Sequence, residues 1–265
     1  MTAMQSVVTP QAPIRAAADH AASLDTEALF GETVIVGRSE NGFSHVVLAT
    51  DGYAGWMPSD CLGVMPDATH QIIAPHSFVT AAADVKSLGL SHLSLGVRLH
   101  LRQPDDAGHR AAYAEIDFNC TSGCVPHAHI MPLGAGCDDW VTVAESLIGS
   151  PYRWGGRAST GLDCSALVQL ALAVAGKPVP RDSGPQHDIG TALQGIDDLQ
   201  RGDLVFWAGH VGIMQDGDRL LHANAHHMAV ASEPLGVASR RIAAIAGPIT
   251  ALRRPQPACG SAERR

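Results

Sequence analysis

The sulfur of Cys164 lies where a turn runs into an apolar helix, Gly161-Leu162-Asp163-Cys164-Ser165-Ala166-Leu167-Val168. A thiol in a first helical turn meets unpaired backbone N–H groups and the positive end of the helix dipole. Both favour the thiolate, which is the nucleophile. The same N–H groups, that of Cys164 foremost, can hold an oxyanion. Such a cysteine needs a base. In Gly202-Asp203-Leu204-Val205-Phe206-Trp207-Ala208-Gly209-His210-Val211-Gly212-Ile213-Met214 the spacing puts His210 at the head of a strand. Distance along the chain is no obstacle, because the pair must meet only in space. Among 14 histidines, His210 stands out because nearby glycines leave room for another backbone or a substrate to approach.

A third group should orient the imidazole. If Asp216-Gly217-Asp218 closes a three-residue hairpin, Met214 faces Leu220 and Gly212 faces His222. His210 and His222 then share one face as diagonal neighbours, roughly 7–8 Å apart and within reach of long side chains. The same parity admits His226, so the residues alone leave His222 and His226 both open.

These groups require a helix behind the cysteine and a sheet under the histidines, and the second half of the chain has that order. Asp138-Asp139 supplies a cap and early acidic charge for a helix carrying Trp140, Val143, Ala144, Leu147 and Ile148 at helical spacing, stopped by Gly149. A second helix opens near Asp163 and runs through Leu167, Val168, Leu170, Ala171 and Val174 to Gly176 and Pro178. Strand-like runs follow at 203–207, 210–214, 219–223, 228–231 and 249–252. Helices first and antiparallel strands after predict an α+β domain over 135–254, opened by the loop-like Pro132-Leu133-Gly134-Ala135-Gly136 and followed by a tail, 255–265. The first half reads as short β segments at 33–36, 45–48 and 53–57, separated by Gly, Asn and Asp turns, the texture of small barrels. An internal repeat predicts two of them. Ala12-Pro13, Ala16-Ala17-Ala18-Asp19 and Leu29-Phe30-Gly31-Glu32-Thr33-Val34 are echoed by Ala74-Pro75, Ala81-Ala82-Ala83-Asp84 and Leu93-Ser94-Leu95-Gly96-Val97-Arg98. The expected division is a tail over 1–12 and small all-β domains over 13–67 and 68–134.

With 46% hydrophobic residues in 265, the chain can bury one substantial core and one or two smaller ones. Its net charge of −8, from 18 Lys+Arg against 26 Asp+Glu, comes with no basic cluster longer than a pair. Nucleic acid and anionic membrane are therefore not expected partners. No apolar run reaches the roughly eighteen residues of a membrane span. The first residues lack a basic start and an apolar stretch, and Pro10 and Pro13 interrupt them, so no signal peptide is expected. Cysteines at 61, 120, 124, 137, 164 and 259 are too few and irregular for a disulfide framework, which points to a reducing, cytoplasmic compartment. Cys120, Cys124, His127 and His129 offer zinc-type ligands at a spacing that is not a common zinc framework. The expectation there is a loop closing the second barrel, with no metal and no cofactor.

Taken together, Tyr152-Arg153-Trp154-Gly155-Gly156, the 161–168 segment, Gly202 to Trp207, Gly209-His210-Val211-Gly212-Ile213 and Leu221-His222-Ala223 resemble, in order and spacing over 138–254, the NlpC-type family of cell-wall cysteine peptidases. The resemblance implies a papain-like α+β fold with Cys164, His210 and His222 as the triad, which chooses His222 over His226. Leu29-Phe30-Gly31-Glu32 and Gly52-Tyr53-Ala54-Gly55-Trp56-Met57 resemble the bacterial SH3-like domains that precede such peptidases, over 13–65 and more faintly over 70–134. What this implies is hydrolysis of the γ-D-glutamyl-diamino acid bond in a murein stem peptide with a free N-terminal L-Ala, in cell-wall peptide recycling. By analogy Tyr53 and Asp163 take the amine, with Glu27 or Glu32 assisting. The Tyr152 hydroxyl helps the Cys164 amide hold the oxyanion, and Trp154 and Ser165 line the pocket, unless Trp154 only packs under the nucleophile loop and Ser165 only caps the helix. The alternatives are a papain-like acyltransferase or amidase, and a non-catalytic cell-wall binding protein.

Overall fold

The β-type segments of the first half pair into a seven-stranded antiparallel sheet running from Ala3–Val7 to Leu62–Gly63 in the computed structural model, which describes residues 3–102, 112–119 and 121–256. Residues 3–12 are not a tail. Ala3–Val7 pairs with both Thr33–Glu40 and Leu62–Gly63, and Gln11–Arg15 pairs with Leu24–Leu29. Alternation puts Val7, Ile14, Val34, Val46, Leu48 and Met57 on the buried face. Two smaller sheets follow, one of four strands (Gly89–Ser94, His76–Thr80, Thr121–Pro126, Tyr113–Phe118) and one of three (Arg98–Leu99, His70–Ile72, Ile130–Pro132). The sequence repeat reappears as a repeat of backbone hydrogen bonds. Gly31 N–H donates to Val7 O as Gly96 N–H donates to Ile72 O, and Phe30 to Pro10 as Leu95 to Pro75.

The chain separates into two units, Met1–Ala135 with Trp154–Thr160, and Gly136–Arg153 with Gly161–Arg265. The division expected near residue 68 falls inside the first unit. Arg98 N–H donates to Phe30 O (3.0 Å), and Phe30 and Phe118 stack with ring centroids 5.3 Å apart. Gly31 (φ +77°) sits so close to Arg98 that a Cβ there would lie 2.0 Å from its carbonyl oxygen, a site only glycine fits.

In the second unit helix α1 (Trp140–Glu145) starts at Asp139, whose carboxylate accepts from Val141 N–H. Helix α2 (Cys164–Val174) is buried at every position but Ala173, because it packs on α1 on one side and on strands His210–Met214 and Arg219–Asn224 on the other. Its nearly unbroken apolar sequence is that of a helix enclosed all round. It ends in a Schellman motif, with Lys177 N–H on Leu172 O and Gly176 N–H on Ala173 O, Gly176 taking φ +78°. The sheet has six antiparallel strands in the order Thr191–Ala192, Ala251–Arg254, Leu204–Trp207, His210–Met214, Arg219–Asn224, Ala229–Pro234. Two helices that the periodicity did not announce complete it, α3 (Ser183–Gln186) and α4 (Leu235–Ala246). Among the described residues no helix is long and apolar enough to cross a membrane.

Candidate functional site

Asp163 sets the start of α2. Its extended backbone (φ −98°, ψ −179°) and its carboxylate, accepting from Ala166 N–H at 2.9 Å, make it the N-cap, so Cys164 is the first helical residue. The sulfur accepts backbone hydrogen bonds from Ser165, on its own helix, and from Val211, next to His210. Two N–H groups thus converge on it, one from the helix start as the sequence predicts and one from the histidine strand that it did not announce, but burial outweighs them. Cys164 is 6% exposed. Its thiol is pushed up to about 12, by desolvation first and the Asp163 charge second. The group rests as a neutral thiol that must lose its proton as it attacks.

The base side is a chain of hydrogen bonds across three strands. Leu204–Trp207 turns into His210–Met214 through Ala208 and Gly209 (φ +71°), which makes His210 the first residue of its strand. Next, Met214 faces Leu220 and Ile213 faces Leu221, the register counted from the sequence. His210 Nε2 lies 2.8 Å from His222 Nδ1, and His222 Nε2 lies 2.8 Å from Glu233 Oε1. Arg241, on α4, closes the chain by a fork on both Glu233 oxygens. His226 is exposed and meets His227 edge to face instead.

The carboxylate fixes the proton order along this chain. Arg241 and His222 hold Glu233 down at about 2 against its burial, so it is ionised and can only accept. His222 Nε2 therefore carries a hydrogen. Burial keeps His222 neutral, so its Nδ1 is a bare acceptor and His210 Nε2 must donate to it. His210 is itself pushed down to about 3, chiefly by burial, so it too is neutral and, donating from Nε2, keeps a lone pair on Nδ1. A neutral thiol and an imidazole base are the parts of a general-base nucleophile.

The remaining expected residues are placed as follows. Tyr152 is half-buried. Its hydroxyl is pushed up to about 12 by burial, Cys164 and Asp163, so it stays a donor. Ser165 neither caps the helix nor lies exposed. Its hydroxyl bonds Asp163 (3.2 Å) and accepts from Arg181 (2.9 Å). Asp163 is held by a two-toothed ion pair with Arg181, whose side chain is 2% exposed. Tyr53 packs on the core of the first unit, and Trp154, in the same unit, is 70% exposed. Glu32 is buried under Arg157, which forks onto both its oxygens (2.9 and 3.1 Å) and donates to Glu27 O, while Arg157 N–H donates to Glu27 Oε2. Arg157 and Glu32 belong to one unit although 125 residues separate them.

Sequence reasoning missed Glu233 and Arg241. A signal existed for the first: Glu233 is two residues beyond Ala231, the partner of His222, on a strand read as ending too early. Cys120 of the zinc alternative lies outside the described residues, and His129 bonds Ser77 (3.0 Å). Among the described residues His222, His227 and Glu233 bring three donor atoms within 4.8 Å, but Arg241 already supplies the positive charge at that carboxylate.

Residues 149–243 match the NlpC/P60 family, and 14–62 match the bacterial dipeptidyl-peptidase Sh3 domain. A gamma-D-glutamyl-L-lysine dipeptidyl-peptidase of Bacillus cereus is 27% identical over 80% of this chain and 65% of its own length; one of Bacillus subtilis is 27% identical over 76% and 72%. The chain thus spans just under two thirds of the first of these relatives. A crystal structure of an NlpC/P60 family protein from Bacillus cereus superposes with a TM-score of 0.81 over 96% of this chain and all of that one, at 20% identity, a likeness of fold.

Proposed function

We propose that this chain, which carries an NlpC/P60 domain behind a bacterial dipeptidyl-peptidase Sh3 domain, is a cysteine peptidase of the γ-D-glutamyl-diamino acid bond in murein-derived peptides with a free N-terminal L-Ala. The observation that carries the chemistry is the hydrogen-bonded run from Glu233 through His222 to His210, which ends on the residue beside the N–H that binds Cys164. The two relatives named for γ-D-glutamyl-L-lysine peptides support the substrate. Peptide recycling in the cytoplasm is the setting this activity fits.

His210 Nδ1 takes the thiol proton as the Cys164 sulfur bonds to the γ-carbonyl carbon of D-Glu. The Cys164 N–H and the Tyr152 hydroxyl hold the oxyanion. The imidazolium then protonates the diamino acid nitrogen as the C–N bond breaks, leaving a thioester. Water attacks that thioester, His210 takes the water's proton, and the departing sulfur recovers a proton, freeing L-Ala-D-Glu.

Because burial pushes His210 from the ordinary imidazole range down to about 3, the base stays neutral in mild acid. Turnover is expected to persist below about pH 5. A kcat/KM profile falling by half near the ordinary imidazole pKa, about 6.5, contradicts this.

The substrate is tested by incubating the protein with L-Ala-γ-D-Glu-L-Lys, its meso-diaminopimelate counterpart and the N-acetylated forms, following the released diamino acid by mass spectrometry. Release from free-amine peptides alone supports the proposal, and release from both forms removes the amine requirement. No release, with an acylated amine found instead, points to transfer chemistry. Tyr53→Phe is expected to slow the free-amine peptides more than the acetylated ones. Asp163→Asn is a poorer probe, since it keeps a capping oxygen but strips the charge partner of buried Arg181. We expect it to cost about 3 kcal/mol or more of stability, measurable by denaturant unfolding.

A further inference from the structure

Two charged residues stand beyond the expected triad. Glu233 is nine-tenths buried at the end of its strand, and Arg241 reaches it from the second turn of α4. The neighbouring outward-facing position on the strand, Ser232, bonds other surface groups, including Arg219 and Gln215. One Glu233 oxygen is spent on His222, and both are shared with a single guanidinium.

We propose that Glu233 and Arg241 are a positioning pair for the catalytic histidine: the carboxylate holds the His222–His210 chain in the one tautomer that leaves His210 Nδ1 bare, and the guanidinium keeps that carboxylate ionised while offsetting its charge. This rests on the assignment of Cys164 and His210 as the reacting pair. The physical reason is that a neutral group at position 233 accepts or donates with equal ease. A donor there would put the His222 hydrogen on Nδ1, reverse the bond to His210, and move the His210 hydrogen to the nitrogen that must take the thiol proton. A carboxylate cannot donate while ionised, so the reversed order is closed to it.

The charged and titratable groups around Cys164 and His210 are Asp163 at the start of α2 with Arg181 bound to it, Tyr152, His222 on the next strand, Glu233 and His227 beside His222, and Arg241 on α4. The active form of Cys164 and His210 carries one proton between them, so both limbs of the pH profile belong to the pair. Removing the negative charge, as in Glu233→Gln, makes every proton easier to lose and moves both limbs to lower pH. Removing the positive charge, as in Arg241→Met, moves both to higher pH. A structural role would lower the folded fraction without shifting the limbs in opposite directions.

The test is the pH dependence of Cys164 alkylation by iodoacetamide in the full chain, read on the peptide that carries Cys164, together with kcat and KM on the tripeptide. For Glu233→Gln we expect kcat to fall about 10–100-fold, as when outer partners of catalytic groups are removed, with KM within about twofold. Its limbs should shift down and those of Arg241→Met up. If both variants keep the parent limbs, the proposal is overturned. Should Glu233→Gln fail to fold, the sign of the Arg241→Met shift decides alone. Alkylation needs no substrate, so opposite shifts without peptide cleavage would uphold the pair while rejecting the peptidase proposal.

Discussion

Arg157→Ala is expected to destabilise the first unit by about 3–5 kcal/mol, near the top of the range for a single substitution. The side chains of Arg157 and Glu32 are 5% and 4% exposed, so solvent cannot take over the charge that is left behind. Glu32 is held below its usual range by the Arg157 charge and hydrogen bonds and by the Leu29 N–H, working against burial. Without the guanidinium, burial wins. Glu32 must then either take up a proton or keep an unpaired charge, and both cost stability. The double change Arg157→Met with Glu32→Met removes both charges and should recover most of the loss, because breaking a buried pair costs more than replacing it with apolar groups. Urea unfolding, with hydrogen exchange at Leu29 as the local probe, measures both. A single-variant loss under about 1 kcal/mol would show that the ion pair does not hold the 154–160 segment in its unit.

Cys164→Ala is expected to reduce turnover by about 10⁴-fold or more while leaving stability within about 1 kcal/mol of the parent. The sulfur is the one atom of this site that can form the thioester. Alanine keeps Asp163 as cap, favours the helix and vacates only a small volume. The N–H groups of Ser165 and Val211 lose an acceptor, a modest cost. Turnover above about one per cent of the parent would move the chemistry away from Cys164.

Much of the site was legible because it rests on local rules. The cap at Asp163 and the apolar run after it placed Cys164 at a helix start, and counting residues through Asp216-Gly217-Asp218 put His210 on one face with His222 or His226, between which the family resemblance chose His222. What escaped did so for physical reasons. The diagonal rule that joins His210 to His222 also joins His222 to Glu233, but the strand was read as stopping at residue 231, short of Glu233. Helix α4 gave little warning, since only Leu235 and Ala238 on it are buried and Gly236 sits in its first turn, so Arg241 had no element to belong to. The ion pair of Arg157 and Glu32 spans 125 residues, and no local spacing encodes it. The helix-end argument favoured a thiolate through the N–H groups of the first turn, but the burial of Cys164 on the inner face of α2 proved the larger effect. In the first half, β texture and repeat were visible, but the strand at Ala3–Val7 was not, because Gln5 and Ser6 dilute its alternation.

The central claim is that Cys164 becomes acylated by the γ-glutamyl group. The most direct measurement mixes the protein with excess L-Ala-γ-D-Glu-L-Lys, quenches in acid within the first turnover, and weighs the peptide that carries Cys164. An added L-Ala-D-Glu acyl group on Cys164, appearing as lysine is released and absent with the N-acetylated peptide, is the result the proposed mechanism predicts. Lysine released at the same rate by Cys164→Ala, with no adduct on Cys164 in the parent, would contradict it.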